Sequence, residues 1–120
     1  MTGDRKLSNE SRAIFQDAVD GKRVIFIPTV VLWETSLVLK SDPDRLQLDC
    51  SFDAFIKKIF QIKTFVEEPV SKEIVLQSHE LDFHDDPFDS IIVATALVKG
   101  FPLITGDNVI HQKEPCPLCW

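Results

Sequence analysis

Glycine and cysteine are scarce in this sequence of 120 residues, with four copies of the first and three of the second. So few glycines leave no Gly-rich loop to cradle a phosphate. The cysteines, Cys50, Cys116 and Cys119, fit a reducing compartment better than a disulfide framework. Cys116 and Cys119 have zinc-ligand spacing, but no second pair completes the set, although His111 and Cys50 are also present. No apolar run approaches the roughly 20 residues of a transmembrane helix. The stretch from Met1 to Glu10 is polar, which excludes a secretory signal there. These absences predict a cytoplasmic protein without a membrane partner. No internal repeat, low-complexity segment or Ser or Cys nucleophile motif is visible.

Basic residues are also in the minority. Lys and Arg number 13 against 19 Asp and Glu, for a net charge of -6. That is not the basic surface of a dedicated nucleic-acid binder. A solvated acidic surface accounts for it, and so does a site that gathers carboxylates around divalent cations. At 44% hydrophobic and 27% charged, the composition is that of one globular domain with one core, over residues 1–120.

Punctuation along the chain predicts alternating helices and strands. Ser8 reads as a helix N-cap, Ile14, Phe15, Ala18 and Val19 as an apolar stripe, and Gly21 as the stop. The continuous apolar run from Val24 to Ile27 predicts a strand buried on both faces of a parallel sheet. Thr29 can cap a helix from Val30 to Lys40. Ser51 caps the next, where Phe52, Phe55, Ile56, Ile59 and Phe60 repeat at helical spacing. A short strand follows at Thr64 to Val66, then a helix capped by Ser71 that runs to Leu81. Asp86 and Pro87 open a last long helix that is apolar nearly all round and ends at Gly100. Leu103 to Thr105 reads as a short buried strand and Gly106 to Asn108 as the loop after it. The tail can add an edge strand, limited by Pro115 and Pro117. The pattern predicts an open α/β fold with a mostly parallel sheet.

Carboxylates carry the chemistry. Glu34 has Val30, Val31, Leu37 and Val38 three and four positions away, so it sits on an apolar helix face. A buried carboxylate there needs a partner, unless Glu34 reaches past a helix rim to solvent. Asp86 suits an N-cap, Pro87 the first helical position and Asp89 the capping-box position. Asp86 is therefore readable as a cap alone, whereas Asp89 heads the stripe of Ile92, Val93 and Ala96 into the core. Asp107 follows a short buried strand, where sites form in open α/β sheets, or belongs to a plain Asp-Asn turn. If Glu34, Asp89 and Asp107 meet, their mutual repulsion calls for a cation. Oxygen ligands select magnesium or manganese, which support phosphodiester hydrolysis.

Three segments carry a family resemblance. Trp33-Glu34-Thr35-Ser36-Leu37 resembles the WE-x-x-L segment of PIN-domain proteins. His84-Asp85-Asp86-Pro87-Phe88-Asp89-Ser90-Ile91-Ile92-Val93-Ala94-Thr95-Ala96 resembles their H-x-DP-x-D block with its following V-A-T-A. Gly100-Phe101-Pro102-Leu103-Ile104-Thr105-Gly106-Asp107 resembles G-x-P-L-x-T-x-D, and the closing Trp120 also fits. Order and spacing match over nearly the whole chain, and the last two blocks together are specific. The resemblance is to the VapC toxin type. It implies a PIN-like open α/β/α sandwich and a divalent-metal-dependent RNA endonuclease, the toxin of a toxin–antitoxin pair. It implies Mg2+ or Mn2+ held by Glu34, Asp89 and Asp107, with Asp86 a nearby acid in the catalytic group and Thr105 in support. It further implies RNA, including transfer RNA, as substrate, a cognate antitoxin as partner, and a homodimer.

One departure stands out. Family members begin with an apolar strand that carries an aspartate, whereas Leu7-Ser8-Asn9-Glu10-Ser11 already resembles the helix after that strand. The expectation is a domain whose N-terminal strand and first aspartate are absent. The alternative function is then a non-catalytic PIN-fold remnant that binds an antitoxin or another partner. A phosphatase or a DNA nuclease on a similar site is a further alternative.

Overall fold

The computed structural model describes residues 8–44, 48–81, 86–105, 108–113 and 115–119. The expected absence of a strand before Leu7 falls outside these residues, as does Asp107.

Local side-chain chemistry sets where most helices begin. Helix α1 (Asn9–Val19) starts at Ser8, whose hydroxyl oxygen accepts from the Ser11 amide at 3.1 Å. Past its end, Gly21 takes a φ of 78°, a conformation costly for side chains with a Cβ. Ala18 is fully buried, but Val19 lies exposed, so the stripe is narrower than its spacing predicts. Strand β1 (Ile25–Pro28) follows, one residue later than the apolar run suggests. It is not buried on both faces, since Phe26 keeps 39% of its surface. Its cover on that side is a stacked contact with Phe101, ring centroids 5.0 Å apart.

Helix α2 (Thr29–Ser41) begins directly at the C-terminal end of β1. Thr29 is its first residue rather than its cap, and Pro28 in the cap position supplies no side-chain bond. The Thr29 hydroxyl instead donates to Glu67 at 2.7 Å. Helix α3 (Phe52–Gln61) starts where Ser51 accepts from the Ala54 amide at 3.1 Å. Its apolar stripe is half-buried throughout. Strand β2 (Phe65–Glu68) pairs in parallel with β1, with Ile25 opposite Phe65 and Pro28 opposite Glu68. Phe15 of α1 meets Phe65 edge to face, and the Thr64 hydroxyl donates to the Ala18 carbonyl, which fixes α1 against this pair.

Helix α4 (Lys72–His79) is capped by Ser71, which accepts from the Ile74 amide at 3.2 Å. Helix α5 (Pro87–Lys99) ends at Gly100, which has a φ of 72°. It packs against both α4 and α2 and carries the most buried residues of any described helix, which makes it the centre of the fold. Strand β3 (Leu103–Ile104) precedes helix α6 (Asn108–Lys113), a short turn of helix where the sequence suggests only a loop. Strand β4 (Leu118–Cys119) then pairs in parallel with β3. Pro117 has no N–H to give, but its carbonyl accepts from the Leu103 amide at 2.9 Å, so the prolines do not prevent pairing. Val93 of α5 and Ile110 of α6 form a core with Leu81, Leu97, Leu103, Cys116 and Leu118 around them.

The result is a mixed α/β fold in which every described strand pair is parallel. Among the described residues the strands form two separate pairs, β1–β2 and β3–β4, rather than one continuous ladder. No helix of the described residues is long and apolar enough to cross a membrane.

Candidate active site

Two of the sequence-predicted acids lie on helices that pack together. Glu34 is in the first half of α2, and Asp89 is the third residue of α5. Both are buried, at 7% and 5% exposure. The Val30 and Val38 neighbours in the chain place Glu34 on an apolar face of α2, a helix that packs on α5. A solvent-reaching Glu34 on a helix rim is therefore excluded by the fold.

The α2–α5 junction is held by an aromatic pair. Trp33 and Phe88 meet at a centroid distance of 5.2 Å and an interplanar angle of 69°. They directly precede Glu34 and Asp89 in the chain, so the contact ties the backbone of one acid to that of the other. Sequence spacing could not supply this pair, because the two aromatics lie far apart along the chain. An open cleft of about 470 Å³ adjoins the junction, lined by Thr29, Val30, Trp33, Glu67, Pro69, Val70 and Ile91. The start of α2, the end of β2 and the first turns of α5 thus converge on one surface.

Asp86 has the N-cap position of α5, with extended backbone at φ -142° and ψ 97°. Its Oδ1 accepts from the amides of Phe88 at 3.0 Å and Asp89 at 3.3 Å. The cap reading of Asp86 is therefore structural fact. Thr105 follows β3, and its carbonyl accepts from His111 Nε2 at 2.6 Å. A carbonyl only accepts, so the proton is on Nε2 in this arrangement. His111 shows no helical or metal spacing to Thr105 in the sequence, and α6 alone brings the two together. Lys99 also finds a partner unforeseen from sequence, Glu68 at the end of β2, at 3.1 Å.

The remaining sequence candidates divide clearly. Asp107 and the gathering of all three acids lie outside the described residues. Cys50, Cys116 and Cys119 are free thiols. Burial raises the Cys116 thiol above its usual range. Burial also raises Cys119, helped by the charge of Glu10 and a hydrogen bond to it, while Arg23 opposes the shift. Among the described residues no group of three or more His, Cys, Asp and Glu comes together to hold a metal. What the described part offers a hard cation is the oxygen chemistry of Glu34 and Asp89, each buried on one of two packed helices. That donor chemistry fits magnesium or manganese, because oxygen ligands suit such ions.

The family model of the PIN domain matches residues 2–114. No curated protein and no solved structure matches the chain.

Proposed function

The chain belongs to the PIN-domain family, and from that membership we propose that it is a divalent-metal-dependent endoribonuclease of the VapC toxin type. PIN domains are generally nucleases and typically use divalent metals. The observation that carries the reading to this chain is the burial of Glu34 and Asp89 on two packed helices whose preceding aromatics touch. Buried carboxylates are paired with other groups or coordinate metals.

Glu34, Asp89 and Asp107 are the residues that would hold Mg2+ or Mn2+. The metal, when bound, would activate water and stabilise the oxyanions of phosphodiester cleavage. Glu34 and Asp89 would present oxygen ligands from two packed helices. Thr105, whose carbonyl accepts from His111, is the proposed supporting residue and stands two residues before Asp107 in the chain. RNA, including transfer RNA, is the proposed substrate, and a cognate antitoxin and a second copy of the chain are the proposed partners.

The test is manganese-dependent cleavage of total transfer RNA and of messenger-like RNA, with and without chelator. Glu34→Gln and Asp89→Asn should each lower the rate by more than the roughly tenfold that losing an outer partner of a metal site costs. Cleavage that survives chelation, or that both variants retain in full, would overturn the reading.

The exposed apolar wall of the cleft favours a second reading, a PIN module that binds a protein partner without catalysis. Trp33 retains 59% of its surface there and Val70 retains 42%. A protein that binds no manganese and cuts no RNA would select this reading over the first.

A further inference from the structure

Asp86, Phe88 and Asp89 act as one unit at the start of α5. A single oxygen of Asp86 receives both the Phe88 and the Asp89 amide. Phe88 carries its ring onto Trp33, and Asp89 is buried at 5% exposure. Pro87 between them has a fixed φ and no amide hydrogen, so this first turn has few alternatives. The four-residue span thus converts one side-chain cap into the placement of two others.

We propose that Asp86 is a positioning residue, which orients Asp89 and Phe88 through the cap and is not itself a metal ligand. The proposal rests on the nuclease reading of Asp89. It gives one role to Asp86, which the sequence leaves readable either as a cap alone or as a nearby acid of the catalytic group. Oδ1 of Asp86 is directed at backbone amides, and a carboxylate so engaged is replaceable by any good capping side chain. A ligand is not replaceable in this way, because serine and asparagine lack the charge that a hard cation selects. Serine and asparagine are, however, as good as aspartate at an N-cap.

The experiment compares the full chain with Asp86→Ala, Asp86→Ser, Asp86→Asn and Asp89→Asn. Manganese affinity is read from the free-ion signal in electron paramagnetic resonance, and amide exchange of Phe88 and Asp89 by NMR. Asp86→Ala should weaken manganese binding about tenfold, as loss of an outer-shell partner does, and should speed exchange of both amides. Asp86→Ser and Asp86→Asn should restore slow exchange and most of the affinity. Asp89→Asn should lose affinity while its amide stays protected. Affinity as low in the serine and asparagine variants as in the alanine variant, with the amides protected, would overturn the proposal and make Asp86 a ligand. If the unsubstituted chain binds no manganese, the nuclease reading fails and the proposal with it. These two failures are distinct outcomes of one titration.

Discussion

The rings of Trp33 and Phe88 lie edge to face, 5.2 Å apart between centroids, one residue ahead of Glu34 and Asp89. The contact joins α2 to α5 next to both buried acids. Edge-to-face pairs contribute about 0.5–1.5 kcal/mol beyond the area they bury. A double-mutant cycle of Trp33→Leu and Phe88→Leu should show a coupling of that size in urea denaturation. Additive single effects would mean that the rings do not couple the helices.

Manganese should stabilise the folded chain. On the nuclease reading the metal binds the folded state, and a ligand that binds only that state at about a hundredfold over its Kd contributes about 2.7 kcal/mol. Thermal denaturation with millimolar manganese should therefore give a higher Tm. An Asp89→Asn, Asp107→Asn variant should respond less, and chelator should reverse the rise. Equal responses from both proteins would argue against these acids as ligands.

Stability should fall in alkaline solution. Burial raises the Cys116 thiol, and burial with the Glu10 charge raises Cys119. The folded state therefore holds these protons more tightly than the unfolded chain, whose thiols titrate near 9.0. The stabilising contribution is complete below that pH and is lost as pH rises through the folded values. Urea midpoints at pH 8 and pH 10 should differ more for the native chain than for Cys116→Ala, Cys119→Ala. The double variant should flatten the alkaline limb, and an unchanged limb would place the effect elsewhere.

Gly100 should resist replacement for a reason confined to the backbone. It closes α5 with a φ of 72°, and a Cβ added there would meet nothing within 4 Å. Gly100→Ala should therefore cost about 1 kcal/mol from the left-handed conformation alone. Gly100→Asn should cost less, because asparagine tolerates that region. A substantially larger loss in chemical denaturation would point to a steric clash that the fold does not contain.

Asp86 and Glu34 illustrate two degrees of legibility. The Asp86 cap is readable from the order Asp-Pro-x-Asp, because cap and amides lie within one turn. The burial of Glu34 is readable only as a conditional, since apolar neighbours mark a face but do not say what covers it. The structure shows that face's residue buried and α2 packed on α5. The Val24 to Ile27 run shows the opposite outcome. Its apolarity implies burial on both faces, yet Phe26 is only half covered, by Phe101 from a distant segment. Asp107 is legible in sequence as the acid of G-x-P-L-x-T-x-D, and its place in space lies outside the described residues.

By itself the sequence determined where α1, α3, α4 and α5 begin, at Ser8, Ser51, Ser71 and Asp86, and where α5 ends, at Gly100. It did so because a cap satisfies backbone groups two or three residues away and a glycine stop depends on its own φ, so neither needs the rest of the chain. Only the tertiary structure decided that β1 pairs with β2 and β3 with β4, that Trp33 meets Phe88, and that His111 holds Thr105. Those contacts join residues that local geometry cannot bring together. They form because separate apolar faces must cover one another, and an apolar face does not specify its partner until the elements pack.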